Sequence, residues 1–191
     1  NGPNAGDIAT NGKDVTFFRF SMSAQNAMEV RKLTMVLAAI SPSATTVEAA
    51  DDANGLWNDS TSVANFTDIK IVDEDNGELV GSSRDVTSAT VDGTLTTNFT
   101  DVFNLSASET RNFKVTMDIA NTSALNGDTF KVTLNAVSTT EGIRDTSTGD
   151  YVTDIVPGTA TAGNTMTVRT PSLTVALASP STDETVVKGS E

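Results

Sequence analysis

The chain has 191 residues, 12 of them basic and 25 acidic, for a net charge of −13, and contains neither Cys nor His. The charge excludes nucleic acid as an expected partner, since binding a polyanion needs a basic stripe to release counterions, and it disfavours an anionic membrane surface. Without His the usual general base and the commonest zinc ligand are missing, and no apolar stretch approaches the roughly 20 residues needed to span a bilayer.

Hydrophobic residues make up 37% of the chain and aromatics only 5%, while about a quarter of the positions are Ser or Thr. That composition suits strands with one apolar face and one face rich in β-branched Thr. The length is enough to build a core without disulfide staples. The chain begins at Asn1 without Met, which fits a processed mature chain or an excerpt.

Residues 1–13 are rich in Gly and Asn and read as an arm. The first strand is expected over 14–24, with Phe18, Phe20, Met22 and Ala24 on one face and Arg19, Ser21 and Ser23 on the other. A second runs over 30–40, with Leu33, Met35 and Leu37 in phase and burial on both faces near its end. Residues 41–63 form a long polar segment that includes Trp57 and admits one helical turn near Val47. Segments 66–72 and 78–81 read as a hairpin about Glu74-Asp75-Asn76-Gly77.

A bent or broken strand is expected over 94–105. The cleanest alternation lies in 112–120 and 129–137. It points Phe113, Val115, Met117 and Ile119, and then Phe130, Val132, Leu134 and Ala136, inward, with Lys114 and Lys131 outward. Asn126-Gly127-Asp128 makes the turn between them. Residues 138–150 read as a loop, 151–156 and 165–169 as short strands, and 171–180 as a strand fenced by Pro171 and Pro180.

These elements predict an all-β fold: an immunoglobulin-like or jelly-roll β-sandwich of about ten strands. The organisation is an N-terminal arm (1–13), one sandwich domain (14–170), and a C-terminal strand and tail (171–191). The expected core contains Phe18, Phe20, Met22, Leu33, Met35, Phe113, Val115, Met117, Phe130, Val132 and Leu134.

From KDVTFFRFSMSA (13–24) through VRKLT (30–34), NFTDIKIVD (65–73), FKVTMDI (113–119), GDTFKV (127–132) and GNTMTV (163–168), the order of segments resembles a repeated immunoglobulin-like β-sandwich domain of large secreted bacterial surface proteins. In such proteins a segment like LTVAL (173–177) followed by Pro opens the next repeat. The resemblance implies either one repeat of an array or a fibre subunit whose last strand, carrying Leu173, Val175 and Leu177, is donated head to tail to an identical neighbour.

Nucleophilic catalysis needs an activating base beside the nucleophile. With no His and no GxSxG elbow, an enzyme is not expected. Asp73, Asp75 and Glu78, in a stretch of four carboxylates, are the candidate ligands should calcium bind, although the EF-hand pattern fails there and a solvated turn fits better. Asp51, Asp52 and Asp59 form a looser acidic group. Glycosylation sequons stand at Asn58, Asn65, Asn98, Asn104 and Asn121, a number close to chance for this composition.

Trp57 and Tyr151 are the candidate sugar-stacking rings. Lys32, Lys114 and Lys131 raise an internal isopeptide crosslink, which the outward phase of Lys114 and Lys131 disfavours. The function expected from the sequence is a structural subunit of an extracellular filament, or pilus-like fibre, or of a surface layer, assembling by strand donation. The alternative is an adhesive or carbohydrate-binding module of a larger cell-surface protein.

Overall fold

The computed structural model describes residues 2–40, 65–85, 89–90, 94–122 and 125–173. Among these the chain is all-β, with no α-helix. Its strands are β1 (Gly6–Ala9), β2 (Val15–Ser23), β3 (Met28–Val30), β4 (Leu33–Ile40), β5 (Phe66–Asp73), β6 (Ala89–Thr90), β7 (Thr94–Phe99), β8 (Phe103–Leu105), β9 (Thr110–Ile119), β10 (Thr129–Leu134), β11 (Ile143–Asp145), β12 (Thr161–Ala162) and β13 (Met166–Arg169). One sheet runs β1-β13-β10-β4-β7-β6, with β12 also against β10. A second runs β2-β9-β5, and a small third runs β11-β3-β8.

The two larger sheets pack face to face as a β-sandwich. Phe66 of β5 meets Phe130 of β10 edge-on at 4.8 Å between ring centroids, and Phe17 of β2 meets Phe66 at 6.3 Å. The core follows the expected phase in β4, β9 and β10, where Leu33, Met35, Phe113, Val115, Met117, Phe130 and Val132 are buried. Lys114 and Lys131 lie on the outer phase, so the register of both strands stands as expected. Phe20, Met22 and Leu134 are half-buried and pack against this core.

Phe17 is fully buried although strict alternation assigns it to the solvent face. The cause is a β-bulge. Val15 and Thr16 pair with Met117 and Thr116, but the next partner of Val115 is Phe18, so Phe17 is the extra residue. The inward phase is Val15 and Phe17 before the bulge and Phe18, Phe20 and Met22 after it. On the other flank of β9, β5 carries a second irregularity between Thr67 and Lys70. There Asp68 adopts a left-handed φ of 54°, which Asp tolerates better than most residues. That shift turns both Phe66 and Ile69 inward.

Several expected boundaries move. The segment 30–40 splits into β3 and β4, because the Arg31 and Lys32 amides both donate to the Gly142 carbonyl, at 2.8 and 3.2 Å. The segment 94–105 is broken, into β7 and β8. The expected loop 138–150 contains β11, which pairs with β3. Residues 151–156 form no strand beyond one bridge from Tyr151 to Arg144. The long segment 41–63 lies outside the described residues.

The largest departure is at the beginning of the chain. Within the expected arm, β1 pairs with β13 in register from Gly6↔Met166 to Ala9↔Arg169, and this is the one parallel pair among those described. A single buried apolar side chain, Ile8, secures it beside Val168, and one apolar residue in a Gly/Asn-rich stretch gives no period-2 signal.

Gly163 shows a different constraint. A Cβ there would stand 2.8 Å from the Phe18 ring and 3.2 Å from the Val132 carbonyl oxygen, so the backbone between β12 and β13 closes onto the core only as glycine.

Truncating Phe17 tests the bulge. Phe17→Ala is expected to cost about 3–5 kcal/mol in urea unfolding, the range for emptying a buried aromatic site, and more than Phe20→Ala. A loss below about 1 kcal/mol, the range of an exposed substitution, would mean that Phe17 faces solvent.

Candidate functional site

Asp73 ends β5 on the inward phase, and Arg111 lies on the inward phase of β9. The two meet at one end of the core, where Arg111 Nε donates to Asp73 Oδ2 at 2.8 Å and Nη2 donates to the same oxygen. The Asp73 side chain is 2% exposed and that of Arg111 20%. The guanidinium lies over the rings of Phe103 and Phe113, at 5.7 and 5.4 Å from their centroids, and closes this end of the hydrophobic interior. Burial pushes the Asp73 carboxyl up, but hydrogen bonds from Arg111 and from the Asp75 and Asn76 amides outweigh it and hold the group below its ordinary value.

The turn after Asp73 is built by the same carboxylate. The Asp75 amide donates to Asp73 Oδ1 at 2.9 Å, the Gly77 amide donates to the Asp73 carbonyl at 2.9 Å, and Gly77 takes φ 75°. The three expected calcium ligands therefore do different work. Asp73 is engaged by Arg111. Asp75 accepts weakly from the Asn112 amide and side chain at 3.4 and 3.5 Å. Glu78 accepts from Asn76 Nδ2 at 3.3 Å. They are not among the carboxylates that converge in the described residues.

The carboxylates that do converge are Asp14, Asp68 and Asp118, with oxygens within 4.8 Å of one another. Asp118 projects from the outer phase of β9, Asp14 precedes β2, and Asp68 sits at the irregularity of β5. The Asp14 amide donates to Asp118 Oδ1 at 2.9 Å. Three oxygen ligands suit a hard cation, but the protein supplies its own cations. Lys70 Nζ bonds Asp68 at 2.5 Å and Asp14 at 2.9 Å, and Lys13 Nζ bonds Asp118 at 2.7 Å. Hydrogen bonds to Asp68 and Asp14 hold the Lys70 ammonium above its ordinary value, and Lys13 together with the Asp14 amide holds the Asp118 carboxyl below its own. This is an ion-pair network that pins the strand ends around the bulges.

Of the sequon residues, Asn98, Asn104 and Asn121 are exposed and Asn65 is half-buried; Asn98 Oδ1 accepts from Thr34 Oγ1 at 2.8 Å. Asn58 lies outside the described residues, as do Trp57, Asp51, Asp52, Asp59, Val175 and Leu177. Tyr151 is exposed, and no aromatic ring contact involves it among the described residues. Lys32 is paired with Glu141 at 2.6 Å. Leu173, the first residue of the expected donated strand, is 89% exposed.

The terminal strands form the remaining feature. Because β1 and β13 run parallel, the chain before Gly6 and the chain after Arg169 leave this strand pair in opposite directions. The Thr10 amide donates to the Arg169 carbonyl at 2.9 Å, Asn164 Nδ2 donates to the Pro3 carbonyl at 2.8 Å, and Arg169 Nε reaches Asp7 Oδ1 at 3.4 Å. No family model matches the chain, and no curated protein matches it.

Replacing Arg111 with Met keeps an apolar stem between Phe103 and Phe113 but leaves Asp73 buried without its cation. Arg111→Met is expected to lose about 3 kcal/mol at neutral pH. Because the folded Asp73 carboxyl is depressed in the native protein, its contribution is complete above the ordinary value of 3.8 and is lost as pH falls through the lower folded value. The gap between native and variant stability should therefore be widest near neutrality and close in acid. A gap independent of pH would contradict the ion pair.

Proposed function

We propose that this protein is a structural module of an extracellular filament or surface layer, joined end to end with identical copies. The observation that supports the reading best is the parallel pairing of β1 with β13, which sends the chain before Gly6 and the chain after Arg169 away from the pair in opposite directions. A module built this way carries a load from one neighbour to the next through its own terminal strand pair, as a linear array requires. The acidic surface keeps single copies soluble through self-repulsion.

The route of attachment needs one revision. Strand donation needs an open edge, and residues 1–13, read from the sequence as an arm, would leave one for a neighbour's strand. In the structure β1 already occupies the edge beside β13. A donated segment carrying Leu173, Val175 and Leu177 would instead meet the outer edge of β1, the terminal strand of its sheet, whose outward backbone groups are a template for strand addition. A strongly exposed leucine just past β13 favours burial against another molecule over one left in water. Such a contact is heterologous and propagates unless it closes into a ring.

Sedimentation and negative-stain electron microscopy of the full chain and of a chain lacking residues 171–191 test this. The full chain should form filaments or sheets, and the truncated chain should remain folded by circular dichroism but stay a single particle. A full chain that remains monomeric, or a truncated chain that still assembles, would remove the proposal.

A further inference from the structure

We infer that the β1–β13 pair is a mechanical clamp, a shear joint that resists tension applied between the chain before Gly6 and the chain after Arg169; its purpose rests on the structural role proposed above, but its physics does not. Tension in that direction pulls β1 and β13 in opposite directions along the strands. Gly6, Asp7, Ile8 and Ala9 face Met166, Thr167, Val168 and Arg169, and the bonds of a parallel ladder are evenly spaced. Such a pull loads all of them together. An antiparallel pair pulled apart at one end opens bond by bond instead.

Side chains set the register against sliding. Ile8 and Val168 are paired and both buried. A slip of one residue turns Ile8 out to solvent and separates Asp7 from Arg169. Thr10, also buried, adds its amide bond to the Arg169 carbonyl at the far end.

The other side of β13 is held as well. The Val168 amide donates to the Asp128 carbonyl and the Gly127 amide donates to the Val168 carbonyl, both at 2.8 Å. β13 also pairs with β10, and β10 pairs with β4 from Thr129↔Ile40 to Leu134↔Met35. The load between the two chain ends passes through the β1–β13 ladder, so the chain extends only when β1 is released from β13, and the barrier to that release sets the unfolding force. Forced unfolding follows the rate of crossing this barrier rather than equilibrium stability.

The chain has no Cys, so two introduced cysteines define the pulling points for single-molecule force spectroscopy of the full 191-residue protein. Handles at Asn4→Cys and Ser172→Cys load the pair in shear. Handles at Asn4→Cys and Asn164→Cys, which lie at the same end of the strand pair, peel β1 from β13. The shear geometry should unfold at several-fold higher force. In the shear geometry Ile8→Ala should lower the force markedly. Val30→Ala, in β3 of the small sheet, should lower the urea midpoint but leave the force unchanged.

Equal forces in the two geometries would overturn the clamp. So would a Val30→Ala effect on force as large as that of Ile8→Ala. If Ile8→Ala does not fold, the comparison of geometries decides alone. A chain that resists shear but never assembles would leave the clamp standing and remove only the functional reading.

Discussion

The architecture depends on the pairing of its first and last described strands. β13 sits between β10 and β1 in the largest sheet, and β1 covers what would otherwise be an open edge beside it. The pairing buries Ile8 against the interior that holds Met166 and Val168. Parallel strands cannot be joined by a tight turn, so the whole sandwich between Ala9 and Met166 is the crossover that connects them. The opposite directions in which the chain leaves the pair are thus a consequence of topology and not of any one loop.

Much of the sandwich was legible in the sequence where alternation is strict. β9 and β10 carry phenylalanine, valine, methionine and isoleucine or leucine every second residue, and their inward faces stand where the period places them as far as Leu134; β10 ends there, and Ala136, also expected inward, is exposed. β1 was not legible, because one isoleucine among Gly, Asp, Ala and Thr has no period to detect. Nor was Phe17 legible as core: adjacent phenylalanines in a period-2 strand must be split between faces unless a bulge intervenes, and the bulge is written in the pairing with β9 and not in β2 itself. The short third sheet has strands of three residues, Met28–Val30, Phe103–Leu105 and Ile143–Asp145, too brief for a pattern to accumulate.

The ion pairs show a complementary limit. Density along the chain pointed to Asp73, Asp75 and Glu78, yet carboxylates that are neighbours in sequence alternate across a turn and find separate partners. Asp14, Asp68 and Asp118 are about fifty residues apart along the chain and come together because β9 is the middle strand of its sheet, with β2 and β5 on its two sides. Only the strand order places them in one cluster. Arg111 and Asp73 meet for a related reason: both fall on the inward phase at the end of their strands, where a charge is retained only with a partner.

Pulsed dipolar spectroscopy between paired nitroxide labels measures the polarity of the terminal strands most directly. With labels at Asn4 and Asn164 the two backbones are neighbours, about 5 Å apart across a strand pair, and the spins should be close. With labels at Asn4 and Ser172 the backbone separation should rise to on the order of 20 Å, since the chain has by then traversed β13. The reverse ordering, or a broad distribution for both pairs, would show that β1 does not lie parallel against β13, and the end-to-end account would fall with it.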